Sequence, residues 1–83
     1  MRLLYFAWLR TRIGIPEETV DPPASVTTVT GLVDWLETRG PAFAEALGNR
    51  KLVRVAVNKE YVTWDHPVRP GDEVALFPPV TGG

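Results

Sequence analysis

The residues with the most chemistry to offer stand at the end of the chain. After Glu73 come ten residues without a charged side chain: Val74-Ala75-Leu76-Phe77-Pro78-Pro79-Val80-Thr81-Gly82-Gly83. Domain termini are ordinarily polar and frayed, so an apolar exit stiffened by two prolines is unusual. Pro78-Pro79 favours an extended polyproline conformation, which carries the last residues away from the body. Gly82 and Gly83 have no side chains and can thread a channel in which any Cβ would clash. The reactive group at such a tip is the carboxylate of Gly83. A slim arm ending in a carboxylate suits activation by one protein and delivery into another. A frayed tail with two incidental glycines is the plain alternative, because a terminal Gly-Gly alone is a weak pattern.

Other chemistry is scarce. The chain has no cysteine, which excludes a disulfide framework, a thiolate metal site, a thiol nucleophile and an iron–sulfur cluster. That composition fits a reducing cytoplasm. His66 is the lone histidine; it precedes a proline in a turn and has no companion ligands, so its role reads as structural and no metal site is expected. Asp65 with Asp72 or Glu73 forms a carboxylate pair in name only, lacking a nucleophile and a pocket. Asp72 and Glu73 read instead as part of the turn after Gly71. A net charge of −1 lacks the basic footprint of a nucleic-acid binder. The apolar run Leu3–Leu9 is far short of the ~20 residues that span a membrane, and no small-residue cleavage site follows it. A chain of 83 residues makes one small domain with no room for a deep enclosed site. Alone it is not expected to be an enzyme.

The elements that must position the tail follow from periodicity. Leu3–Leu9 is apolar on both alternation sets and reads as a strand covered on both faces, or on one with a partner on the other. A short strand is expected between Gly14 and Val20, before Asp21-Pro22-Pro23 breaks regular structure. Val29, Leu32, Val33 and Leu36 recur at helical spacing, with Thr28 placed to cap and Arg39-Gly40 to stop. Pro41 suits the start of a second, short helix to Leu47. From Leu52, Val53, Val55 and Val57 alternate with Arg54 and Ala56, a strand with one apolar face. Asn58-Lys59-Glu60 turns the chain into a strand over Tyr61–Trp64, and Glu73–Phe77 is the last strand. The whole is an α+β fold: a mixed sheet on one main helix plus a short second helix. Residues 1–77 form the domain and 78–83 its extended Gly-Gly tail.

Three stretches carry a resemblance. His66-Pro67-Val68, Gly71-Asp72-Glu73-Val74-Ala75 and above all Phe77-Pro78-Pro79-Val80-Thr81-Gly82-Gly83 resemble the small-subunit family of molybdopterin synthase. Phe6-Ala7 with Arg10, and Ala56-Val57-Asn58, match it too. The resemblance implies a ubiquitin-like β-grasp fold and a sulfur carrier. In that family a ubiquitin-activating-type adenylyltransferase uses ATP to adenylate the residue corresponding to Gly83. A sulfur donor protein then converts the adenylate to a thiocarboxylate. The tail, here Pro78, Pro79, Val80, Thr81 and Gly82, inserts into the large subunit of a 2:2 heterotetramer, where sulfur passes to cyclic pyranopterin monophosphate. No bound cofactor is implied, only the transient adenylate and thiocarboxylate.

The resemblance also places Phe6, Tyr61 and Phe77 in an apolar patch that docks partners, although the family commonly has an aliphatic residue where Tyr61 stands. Core packing is the other reading of Phe6 and Phe77. Arg10 matches a family arginine that could pair with partner carboxylates; a solvated arginine is the plain reading. The rival functions are a related carrier for thiamine synthesis or tRNA thiolation, and a β-grasp interaction module with incidental glycines.

Overall fold

The computed structural model describes residues 1–79. In chain order the elements are β1 (Arg2–Tyr5), α1 (Ala7–Ile13), β2 (Glu17–Thr19), α2 (Val29–Glu37) and α3 (Pro41–Leu47), then a 3-10 turn (Arg50–Leu52), β3 (Arg54–Val57), β4 (Glu60–Val62) and β5 (Glu73–Phe77). The strands form one sheet in the order β2-β1-β5-β3-β4. β1 and β5 run parallel, and every other neighbouring pair is antiparallel. A parallel pair cannot be closed by a hairpin, so the chain between them must cross over the sheet. The main crossover carries α2. Its Val29, Leu32, Val33 and Leu36 are fully buried with Leu3, Tyr5, Val55, Val57, Val74 and Leu76 from one face of the sheet. A five-stranded mixed sheet grasping one helix is the β-grasp arrangement.

Local signals set the boundaries. Thr28 caps α2: its Oγ1 accepts a hydrogen bond from the Gly31 N–H at 3.1 Å, satisfying one amide of the first turn. Pro41 opens α3 as expected. Asn58 and Lys59 both take positive φ, 51° and 72°, the left-handed pair that a two-residue hairpin turn needs and that asparagine tolerates best. Asn58 also ties that turn to β5. Its N–H donates to the Glu73 carbonyl at 2.7 Å. Its Oδ1 accepts from the Glu73 N–H at 3.0 Å, and its Nδ2 donates to Asp72 Oδ1 at 3.1 Å. Asp72 Oδ2 in turn accepts from the Arg69 N–H at 2.8 Å, which is the turn role expected of it.

The first strand departs from expectation. It ends at Tyr5, not Leu9, and the rest of the apolar run is helix α1. The chain swings at Ala7, whose φ is 54°, a cost of ~1–2 kcal/mol for a residue with a Cβ. The compensation is packing: the turn drops Leu9 into the core, fully buried, and half-buries Ile13 against it. Gly14, at φ 99°, ends the helix by donating its N–H to the Arg10 carbonyl. Leu9 and Ile13 stand at i, i+4 with Gly14 directly after, a helical signal outweighed in the sequence by the continuous apolar run. Two smaller shifts accompany it. Leu52 lies exposed in the 3-10 turn ahead of β3, and β4 ends at Val62.

One polar group anchors the first strands to the helices. Glu18 accepts a hydrogen bond from the Tyr5 hydroxyl at 2.7 Å and a two-pronged pair from Arg39 at 2.8 Å each. The Arg39 guanidinium also lies 4.9 Å from the Phe43 ring centre and 5.5 Å from that of Trp35. Burial alone would raise the Glu18 carboxyl, but the hydrogen bonds from Arg39 and Tyr5 outweigh it and hold the group below the ordinary glutamate range. A depressed carboxylate stabilises the fold above its unfolded value and loses that contribution as pH falls through its folded value. Stability should therefore decline as pH drops below about 4.3. In Glu18→Gln the acid limb of a melting-temperature profile should be flatter; identical acid limbs would overturn this assignment.

Candidate docking face and tail root

Strand register decides which side chains share the face of the sheet turned away from α2. Leu4 pairs with Ala75, Ala75 with Ala56, and Ala56 with Tyr61, so these four form one row across β1, β5, β3 and β4. The next row begins with Phe77 opposite Arg54. Tyr5 is the last β1 residue paired with β5, and the Phe6 N–H donates to the Leu76 carbonyl at 3.1 Å. Phe6 therefore stands abreast of Phe77, extended and 45% exposed. The Tyr61 and Phe77 rings meet at 5.6 Å between centres, tilted by 48°. Tyr61 is 83% exposed. A hollow of about 290 Å³ lies between Arg54, Val55, Tyr61, Val62 and Phe77.

Phe6 is thus not a core residue, and Phe77 is half-buried beneath Tyr61. Exposed aromatic rings drawn together on an open sheet face are the form that partner surfaces take. Trp8, at 38% exposure on α1, adds a further exposed ring.

The tail leaves this same edge. Pro78 and Pro79 follow β5 directly and are half-buried. Because β1 and β5 are parallel neighbours, the start of α1 comes to the root of the tail. Arg10, on α1, is exposed and forms no ion pair among the described residues. The expected roles of Val80, Thr81, Gly82 and Gly83 lie outside the described residues. His66 sits in the turn before Pro67, where its backbone carbonyl accepts from Val29 and its N–H donates to Thr63. The neighbouring Asp65 carboxyl is lowered first by a hydrogen bond from the Thr63 hydroxyl. Among the described residues no group of three His, Asp or Glu side chains could hold a metal ion, and no helix is long and apolar enough to cross a membrane.

Arg54 is the site residue that the sequence reading passed over. The alternation that turns Val53 and Val55 inward puts Arg54 on the opposite face, so its side was legible. Its neighbours were not: only register sets it opposite Phe77 and beside Tyr61.

Comparison with known proteins bears on this geometry. The ThiS family model matches residues 3–83. The chain is 40% identical over 83 residues to the molybdopterin synthase sulfur carrier subunit of Escherichia coli (strain K12), covering 100% of this chain and 99% of that protein. It is 34% identical over 86 residues to the human protein of the same name, covering 100% of this chain and 93% of the relative. Among solved structures, the small archaeal modifier protein 1 of H. volcanii superposes with a TM-score of 0.79 at 30% identity, over 96% of this chain and 97% of that one.

Proposed function

The chain belongs to the ThiS family, and from that premise we propose that it is the sulfur-carrier subunit of a molybdopterin synthase, with Gly83 as the covalent carrier. The observation that carries this is the full-length likeness to sulfur-carrier subunits in a chain ending Phe77-Pro78-Pro79-Val80-Thr81-Gly82-Gly83.

The chemistry needs no catalytic group on this chain. A carboxylate is a poor electrophile until it becomes a mixed anhydride, so a partner adenylyltransferase joins Gly83 to the AMP portion of ATP and releases pyrophosphate. Sulfur supplied at the sulfide level by a donor protein then attacks the acyl carbon, its new C–S bond replacing the C–O bond to the departing AMP, and a thiocarboxylate remains. That sulfur is the nucleophile, which is why a sulfur carrier can dispense with cysteine. The tail enters the large subunit, where the sulfur passes to cyclic pyranopterin monophosphate. Phe6, Tyr61 and Phe77 supply the apolar contact with each partner in turn, and Arg10 pairs with partner carboxylates near the tail. Two small and two large subunits make the assembly.

Intact-mass spectrometry tests the central step. After incubation with the cognate activating enzyme, ATP and a sulfur donor, the mass should rise by the difference between one sulfur and one oxygen. No change with the cognate enzyme would overturn the reading in favour of a plain interaction module.

A further inference from the structure

The open face of the sheet is apolar through the middle of its row Leu4, Ala75, Ala56 and Tyr61, and the end row beside it sets a charge, Arg54, against Phe77. Phe77 stands opposite Arg54 by register, and Ala56 with its partners Ala75 and Tyr61 forms the row next to it. The other charged groups of that face, on β2, β1 and the start of β5, pair among themselves: Arg2 meets Glu17 at 2.6 Å and Glu73 at 3.6 Å. Elsewhere Arg12, Arg39 and Arg50 each reach a carboxylate as well. Arg54, like Arg10 and Arg69, does not, among the described residues. Its Nη1 donates only to the backbone carbonyls of Lys51 at 3.4 Å and Val53 at 3.2 Å. Those are long bonds made to the segment just before its own strand, and the side chain lines the hollow that Tyr61 and Phe77 wall.

A guanidinium beside the exposed rings of a contact face is a liability if that face is covered by apolar surface alone. Desolvating an unpaired charge costs several kcal/mol, whereas a two-pronged carboxylate partner offsets that cost and fixes orientation. We propose that Arg54 is a specificity determinant of the docking face, and that the large subunit presents an aspartate or glutamate which seats in the hollow between Arg54, Tyr61 and Phe77. This rests on the sulfur-carrier reading and adds to it. Phe6, Tyr61 and Phe77 supply adhesion that any apolar partner could share. Arg54 selects, because a partner without the carboxylate must bury an unpaired guanidinium. The exposed arginine on a strand surface contributes little to folding, so its removal separates recognition from stability.

The test is calorimetric titration of the full chain with its cognate large subunit at low and moderate salt. Arg54→Leu should weaken binding on the order of 100-fold, since it leaves the partner's carboxylate buried and unpaired. It should also flatten the salt dependence, while the melting temperature of the free chain stays within a degree or two of the wild type. Arg54→Lys keeps the charge but not the fork and should lose about ten-fold. The leucine variant decides the sign. If the face docked by apolar contact alone, Arg54→Leu would bind as tightly as the wild type or more tightly, and either result would overturn the inference. Self-association of the isolated chain that Arg54→Leu abolishes would also overturn it, making a second copy the occupant. Absence of binding by the wild type would overturn the functional reading itself, and binding by the wild type with an unmoved Arg54→Leu affinity would overturn this inference alone.

Discussion

Extending the chain by one residue beyond Gly83, or deleting Gly83, will abolish sulfur loading and transfer while leaving thermal unfolding unchanged. The reacting atom in the proposed chemistry is the terminal carboxylate carbon, and its position is set by counting residues from the last strand. One added residue displaces it by up to ~3.5 Å along an extended chain. Misplacement by ~1 Å can already cost ~100-fold in a reaction that depends on alignment. An added alanine also brings a Cβ to a tip that has none. Deletion moves the carboxylate to Gly82 and shortens the arm by the same step. The fold has no stake in either change, since the buried side chains described above lie between Leu3 and Leu76. Intact mass after activation and product formation with the large subunit are the readouts. Activity retained in either variant would overturn the tail mechanism.

Leu76→Ala should have the largest effect on stability. Leu76 lies on the middle strand of the sheet, fully buried, paired with Tyr5 on one side and Val55 on the other. Truncating a buried leucine typically costs ~2–5 kcal/mol, because the lost transfer energy adds to that of an unfilled cavity. In a domain of this size each kcal/mol moves the midpoint by roughly 4–8 °C, so a fall on the order of 10–30 °C is expected. Urea unfolding should show the same loss at constant slope. A loss under ~0.5 kcal/mol, as at ordinary surface positions, would contradict the packing described here. Ala75, next along the strand, faces the docking side, so the two positions separate core from surface within one dipeptide.

The sequence spoke most clearly where structure is decided locally. The stripe Val29, Leu32, Val33 and Leu36 with Thr28 before it needs only helical periodicity and one capping hydroxyl, and both stand as expected. The turn at Asn58-Lys59 is signalled by Asn58, a residue type that accepts positive φ, although Glu60, expected in the turn, already belongs to β4. The last strand, Glu73–Phe77, is bounded by Gly71-Asp72 before and Pro78 after, and it too falls as expected. The segment Leu3–Leu9 was misleading because an apolar run carries no period. Its split into β1 and α1 depends on Ala7 taking a left-handed turn, which nothing in an alanine advertises.

The proposed tail chemistry likewise rests on sequence alone: Gly-Gly behind two prolines, in a chain without cysteine. By itself the sequence supplied the proposed reacting group, because that proposal follows from residue types and their order. Tertiary structure alone decided what surrounds the root of the tail at Phe77 and Pro78. Parallel pairing of the first and last strands lays Phe6 abreast of Phe77, and antiparallel register brings Arg54 and Tyr61 to the same surface. Phe6 and Phe77 come from opposite ends of the chain, and no local periodicity relates them to Arg54 and Tyr61 on the β3–β4 hairpin. Hydrogen-bond register between strands relates them, and register is a property of the assembled sheet.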